Sequence, residues 1–257
     1  MIIRNIGNNK INIPDSNRVR IIVEGNNNTI NVSPDTPKDT DIDVKIYGDD
    51  NFVDIGKILG QLRVDMGYND DRKICNAKFV CGDNRMNGVN TFSLEDNTSI
   101  TIGKNCRFSS GIYITNSDQH CMLDENRNVT NCAKSIVIGD GCWIAKDVTI
   151  LKNTEIADGC AIGTKAVVSG KFLKPNCLIV GNPARVIREN ILLDTMRPDW
   201  YLKKHPNNKP IVKKEYFFKT ESYRLFGCIK LFKVKTSKHK KIIYILGMPI
   251  FTANDEQ

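Results

Sequence analysis

Across residues 135–168, SIVIGDGCWIAKDVTILKNTEIADGCAIGTKAVV, aliphatic side chains fall at Ile138, Ile144, Ile150, Ile156, Ile162 and Val168, an interval of six without a slip. Four residues after each of the first five come Cys142, Val148, Thr154, Cys160 and Ala166, most of them small. The same phase runs upstream through Ile102, Phe108 and Ile114. A period of six fits neither an amphipathic helix nor a simply alternating strand. It predicts a coil of short flat strands joined by tight turns. One large aliphatic residue per hexad points inward, and a smaller one fills a second inward place near the corner. The Gly, Asn and Asp residues of GDG, KN and ADG suit those turns. Successive rungs would stack at about 4.8 Å, the ordinary interstrand spacing. Such a repeat is the signature of a solenoid.

The N-terminal part is less regular but has its own echo. IIVEGNNNTINV and VKIYGDDNFVDI share a pattern of aliphatics around a Gly-polar-polar-Asn centre. Gly25 and Gly48, Ile30 and Val53, and Val32 and Ile55 repeat at one common spacing. These read as wider, imperfect rungs of the same coil. Residues 57–75 read as an inserted loop or short helix, after which AKFVCGDNRMNGVNTFSLED returns to the solenoid. The expected organisation is therefore an irregular N-terminal β region over 1–98, a hexad-repeat core over 99–189, and a C-terminal extension over 190–257 in which the period is lost.

The hexad phase stops at Ile114 and restarts at Ile138. The polar excursion between them, with ITNSDQHCMLD at its start, contains His120, the one histidine of the solenoid; His205 and His239 lie far downstream. A solenoid that breaks phase once with a polar loop usually does so for function. The hexads, together with SDQH…D…N…IVIGDGCWIA, resemble the hexapeptide-repeat acyltransferases, and within them the bacterial surface-glycan (capsular polysaccharide) O-acetyltransferase branch. The clear match covers about residues 99–189. That resemblance implies an all-β fold, a left-handed parallel β-helix of triangular section. The hand comes from the resemblance alone, since parallel crossovers in general favour the right hand.

The resemblance also implies a chemistry. The His of the Asp-x-His element is the catalytic base, here His120, and the Trp lies beside the acetyl-thioester, here Trp143. A sugar hydroxyl is a weak nucleophile, and neutral imidazole is suited to taking its proton. Asp118 is a candidate for orienting the imidazole, a task a backbone carbonyl can also perform. A backbone N–H is preferred to the Trp143 indole as oxyanion donor. Asp124 and Asn131 are candidate contacts to the acceptor. Cys121 has no orienting partner in the sequence and is read as an ordinary loop residue.

For the donor, acetyl-CoA, the resemblance marks Trp143 and Ala145, then Gly163, Thr164 and Lys165 beside the pantetheine, and Lys171 near the phosphates. GNPARVIRE at 181–189 is similar almost letter for letter to the family's closing segment. It brings Arg185 and Arg188 toward the nucleotide, where guanidinium forks suit phosphate. Ala145 and Lys165 depart from the pattern, which often has Gly at both places. No metal is expected: the zinc hydratases built on a similar coil need three histidine ligands, and this coil has one. The alternatives within reach are N-acetylation of an amino sugar on a nucleotide carrier, and a scaffold without catalysis. Relatives imply a homotrimer in which a neighbour completes each donor site.

Composition adjusts the picture at the ends. The chain has 257 residues and a net charge of +8, but residues 203–241 alone carry +11 and the remainder −3. The basic character belongs to the tail, so it does not argue for nucleic-acid binding by the coil. Nine cysteines without a regular pairing pattern suggest reduced thiols and a cytoplasmic protein. MIIRNIGNNK has no apolar stretch of a signal peptide. IIYILGMPIF at 242–251 is too short to span a bilayer. The tail's repeated apolar patches, LFGCIKLF and ILGMPIF, read as a cap on the open coil end. Its lysines are the expected site of any peripheral contact with an anionic membrane.

Overall fold

The computed structural model describes residues 1–15, 18–67 and 72–208 in full, and residues 219–225, 229–237, 240–245 and 248–254 as backbone. It separates into two units, Met1–Asp194 and Thr195–Gln257.

The first unit is a parallel β-helix with three faces. Face A runs from Ile2–Ile6 through Val19–Glu24, Asp41–Tyr47, the second half of Ile58–Met66, Thr91–Leu94, Tyr113–Thr115 and Thr149–Ile150 to Val167–Val168. Face B is an eight-stranded sheet from Lys10–Asn12 to Lys171–Phe172. Face C begins with Ile58–Gly60 and continues through Asn84–Met86, Arg107–Phe108, Trp143–Ile144 and Ala161–Ile162 to Leu178–Gly181. From Ile58 onward the chain visits C, A and B in turn, so each face there lies opposite the corner where the other two meet.

The hexad reading translates directly into burial. Ile138, Ile144, Ile150, Ile156, Ile162 and Val168 all point into the core, and so do Cys142, Val148, Thr154, Cys160 and Ala166. The GDG and ADG turns are corners between faces B and C. There the Asp140 carboxylate accepts from the Lys104 backbone N–H at 2.9 Å, and Asp158 accepts from that of Asp140 at 2.8 Å. A side chain thus satisfies a backbone donor of the neighbouring rung, which the bend would otherwise leave open.

The N-terminal echo is a register: Ile30 pairs with Val53 and Val32 with Ile55. At the A–B corner Asn28 and Asn51 form a buried ladder. Asn28 Oδ1 accepts from the Asn51 backbone and side-chain amides at 2.9 and 3.0 Å, and Asn51 Oδ1 accepts from the Ala77 N–H at 2.9 Å. The span 57–75 corrects the sequence expectation: it opens not with a loop or helix but with the strand Ile58–Met66. That strand turns from face C to face A at Gly60. A Cβ there would lie 1.6 Å from the Met86 carbonyl oxygen, and φ is +124°, so only glycine carries the strand round the corner.

The coil is wider in its middle. The turns that pair Phe92 with Ile114 and Arg85 with Arg107 are longer than those that pair Trp143 with Ala161 and Thr149 with Val167. Phe79, Phe92 and Phe108, one from each face, fill the extra section, with ring centroids 5.2 and 6.2 Å apart. Phe92→Ala is expected to cost about 3–5 kcal/mol, because rigid rungs above and below cannot collapse into the space. Chemical denaturation of the variant checks this; an unchanged midpoint would contradict it.

The second unit contains a short helix, Pro198–Lys204, and a four-stranded antiparallel sheet, Lys219–Leu225, Ile229–Ser237, Lys240–Ile245 and Met248–Asn254. The side chains of that sheet, on which the expected membrane contact rests, lie outside the described residues. No described helix is long and apolar enough to cross a membrane.

Candidate functional site

Between the strands Tyr113–Thr115 on face A and Ile136–Ile138 on face B the chain makes its largest excursion from the coil, residues 116–135. The excursion is braced at its base. Buried Asn116 accepts from the Glu95 N–H at 2.9 Å, donates to Thr98 Oγ1 at 2.7 Å, and takes the Lys134 N–H on its carbonyl at 3.0 Å.

Its outer part is a small hairpin. Leu123 and Val129 form an antiparallel bridge. Asp124 closes the tip by accepting from the backbone amides of Asn126 and Asn128, at 2.9 and 2.8 Å, and from the Asn128 side chain at 3.0 Å. The Asn128 bonds, followed by that of Asn126, hold the Asp124 carboxyl below the usual carboxylate range.

His120 sits where the chain leaves the coil for the hairpin. Gln119 adopts φ +63°, and the His120 N–H then reaches back to the Asp118 carbonyl at 2.8 Å. The His120 carbonyl accepts from Asn131 Nδ2 at 2.8 Å. The backbone is therefore fixed on both sides while the imidazole is exposed, with no described hydrogen bond to its ring nitrogens. No hydrogen bond between the Asp118 carboxylate and the imidazole is described. Asp118 Oδ2 accepts from Lys152 Nζ and, at 2.8 Å, from Asn131 Nδ2, and these two donors, Lys152 first, hold the carboxyl below its ordinary range. Lys152 Nζ also donates to the Asn131 carbonyl at 2.6 Å. Asn131 completes its set by accepting the Met122 N–H at 2.7 Å.

The polar atoms of Asp118, Asp124 and Asn131 thus tie the loop to itself and to the next rung. The sequence had pointed to the first as an orienting partner of His120 and to the other two as acceptor contacts. Lys152 was missed. The available signal was its position at the A–B corner of the turn directly below the excursion.

The donor candidates lie mostly along face C and its corner with face A. Trp143 is outward on face C and 49% exposed. Ala145 is buried where that strand ends, and Gly163 occupies the same place one turn on: the Ala145 N–H donates to Ile162 O at 3.0 Å and the Gly163 N–H to Ile179 O at 2.8 Å. Thr164 and Lys165 are exposed at this corner, Lys165 with φ +59°. Beyond a cis Asn182–Pro183 bond, the strand Ala184–Arg188 folds back antiparallel on Leu178–Gly181, so exposed Arg185 and Arg188 line the end of the same face. Lys171 does not join this row. It lies on face B, paired with Glu155 at 3.0 Å, across the coil from the Gly163–Lys165 corner.

His120 and Trp143 are likewise not brought together within one chain. The loop leaves at the corner where faces A and B meet, opposite face C.

Residues 135–170 match the family described as bacterial transferase hexapeptide (six repeats). Among curated proteins, the chain is 38% identical over 104 residues to the colanic acid biosynthesis acetyltransferase WcaF of Escherichia coli K12, covering 40% of this chain and 53% of that protein. It is 29% identical over 189 residues to the polysialic acid O-acetyltransferase of Neisseria meningitidis, covering 72% of this chain and 85% of that one. The chain thus spans about half the length of the first relative and most of the second. Among solved structures, the polysialic acid O-acetyltransferase OatWY superposes with a TM-score of 0.62 at 25% identity, covering 79% of this chain and 95% of that one.

Proposed function

We propose that this hexapeptide-repeat β-helix protein transfers an acetyl group from acetyl-CoA to a hydroxyl of a bacterial surface polysaccharide, with His120 as general base. The observation that carries the reading is the single phase break of the coil. It displays the coil's one histidine on a braced loop with an exposed imidazole, in a chain similar over most of its length to a polysialic acid O-acetyltransferase.

Bound acetyl-CoA supplies a thioester carbonyl. The residues of face C fit such a donor: Arg185 and Arg188 offer forks for phosphates, Gly163 leaves a corner without a side chain, and Trp143 gives an exposed aromatic wall. The His120 imidazole accepts the proton of the sugar hydroxyl as its oxygen attacks that carbonyl, and returns the proton to the departing thiolate. An acetyl ester and free coenzyme A result. Asp118, Asn131 and Lys152 hold the loop rather than the ring, so their part is positioning.

The geometry of a single chain, with loop and face C on opposite sides, favours a site shared between copies. A closed ring of three, in which the loop of one copy reaches face C of the next, satisfies every copy equally. Any closed ring meets that condition, and the resemblance to trimeric relatives sets the expected number at three; a monomer in light scattering at micromolar concentration would contradict it.

Mixing the protein with acetyl-CoA and a panel of surface glycans, and following free thiol, tests the reaction. Acceptor-dependent thiol release is expected, and none with any glycan would overturn the reading. Arg185→Ala with Arg188→Ala is expected to raise KM for acetyl-CoA with little change in kcat, because remote phosphates are bound alike in ground and transition states. A loss of kcat at unchanged KM would move the donor elsewhere.

A further inference from the structure

Face C continues past Trp143 toward the N-terminal turns. Its outward positions there are Arg107, in register with Trp143, then Arg85, then Leu59. Parallel rungs lie about 4.8 Å apart, so two guanidinium groups leave neighbouring rungs side by side, like charge on like.

Four other outward cations on the coil's strands stand beside a carboxylate, whereas Lys10, Lys45, Lys78, Arg185 and Arg188 have no ion pair among the described residues. Arg4 pairs with Glu24 at 3.0 Å, Arg20 with Asp43 at 3.7 Å, Arg63 with Asp65 at 2.8 Å and Lys171 with Glu155 at 3.0 Å. Among the described residues no carboxylate pairs with Arg85 or Arg107. The acid beside them, Asp83, directs Oδ1 to the Lys57 backbone N–H at 2.7 Å. Together with Lys57, Leu59 and Asn105 these residues line a shallow groove of about 390 Å³. An un-neutralised cation pair is unfavourable in the free protein and becomes favourable when an anion lies across it.

We propose that the Arg85–Arg107 column is an acceptor subsite for a carboxylate-bearing polysaccharide. The subsite holds the charges of sugar residues flanking the one that is acetylated. The assignment rests on the reading above, in which the thioester lies at Trp143, the next position in the same column. Two cations in a groove match one or two charges of a flexible glycan. The chain outside residues 203–241 carries net −3, so the coil lacks the extended basic surface that a nucleic acid or a bilayer requires.

The test is a binding measurement that does not depend on turnover. Polysialic acid and the same polymer with its carboxyl groups reduced are titrated into the full-length protein and into Arg85→Gln/Arg107→Gln. The charged polymer is expected to bind at least about tenfold more weakly to the double variant, the loss of one or more charge-assisted contacts. The reduced polymer is expected to bind both proteins weakly. Arg85→Lys/Arg107→Lys, which keeps the charge and guards against misfolding, should recover part of the affinity. Equal binding of the charged polymer to wild type and the Gln variant would overturn the subsite, as would equal binding of charged and reduced polymers to wild type. Thiol release in the presence of glycan is read separately. Transfer with unchanged binding sinks the subsite and leaves the reaction standing; charge-dependent binding without transfer does the reverse.

Discussion

His120→Ala is expected to lower kcat by about 10²–10⁴-fold, the usual cost of removing a general base. Coenzyme A affinity and oligomeric state should be unchanged. The separation is expected from the local structure. The loop is held by the His120 backbone, by Asn116 at its base and by the Asp118–Asn131–Lys152 cluster, while the imidazole makes no described hydrogen bond of its own. Truncating it therefore removes a reacting group and leaves its support in place. Steady-state kinetics with a fixed glycan, beside light scattering and coenzyme A titration, provide the check. Turnover near that of the wild type would place the base elsewhere, and exposed Cys121 on the same loop would be the next group to replace.

The second large effect is a gain of activity. His120→Ala and Trp143→Ala are each expected to be nearly inactive alone, and to recover when the two chains are co-assembled. If each site takes its loop from one copy and face C from the next, random mixing in a ring leaves both groups intact in about a quarter of the sites. The recovered rate should approach that fraction of wild type. The expectation follows from topology: His120 is at the A–B corner and Trp143 on face C, and no local rearrangement of the loop alters which corner it leaves from. Absence of recovery in verified mixed oligomers would mean that each chain builds its own site.

Much of the coil was legible because its inward residues repeat with a fixed period. Ile138 to Val168 are inward as their spacing requires, and the N-terminal echo of Ile30 in Val53 is the pairing register itself. The strand Ile58–Met66 was hidden because it bends. At Gly60 it leaves one face for the next, and the inward series Ile58, Leu62, Val64 and Met66 is interrupted there by a residue without a side chain, so the pattern resembles a loop. The site was legible as a place and less so as a set of contacts. Asp118 lies beside His120 in sequence, yet the turn at Gln119 directs its carboxylate to Asn131 and Lys152. Lys152 is remote from His120 along the chain and is brought to the loop only by the stacking of turns. Lys171 follows the Gly163–Lys165 corner closely in sequence, but a few residues suffice to carry a triangular coil to its opposite face.

The most direct measurement is the chemical identity of the product. The protein, acetyl-CoA and a panel of surface polysaccharides, among them polysialic acid and colanic acid, are incubated, and the glycan is analysed by mass spectrometry before and after mild alkali. The account predicts an added acetyl group on one of these glycans that mild alkali removes, as an ester on a sugar oxygen, and that is absent when His120→Ala replaces the wild-type chain. An acetyl group that survives alkali, as an amide on an amino sugar, or an ester formed equally well without His120, would contradict it.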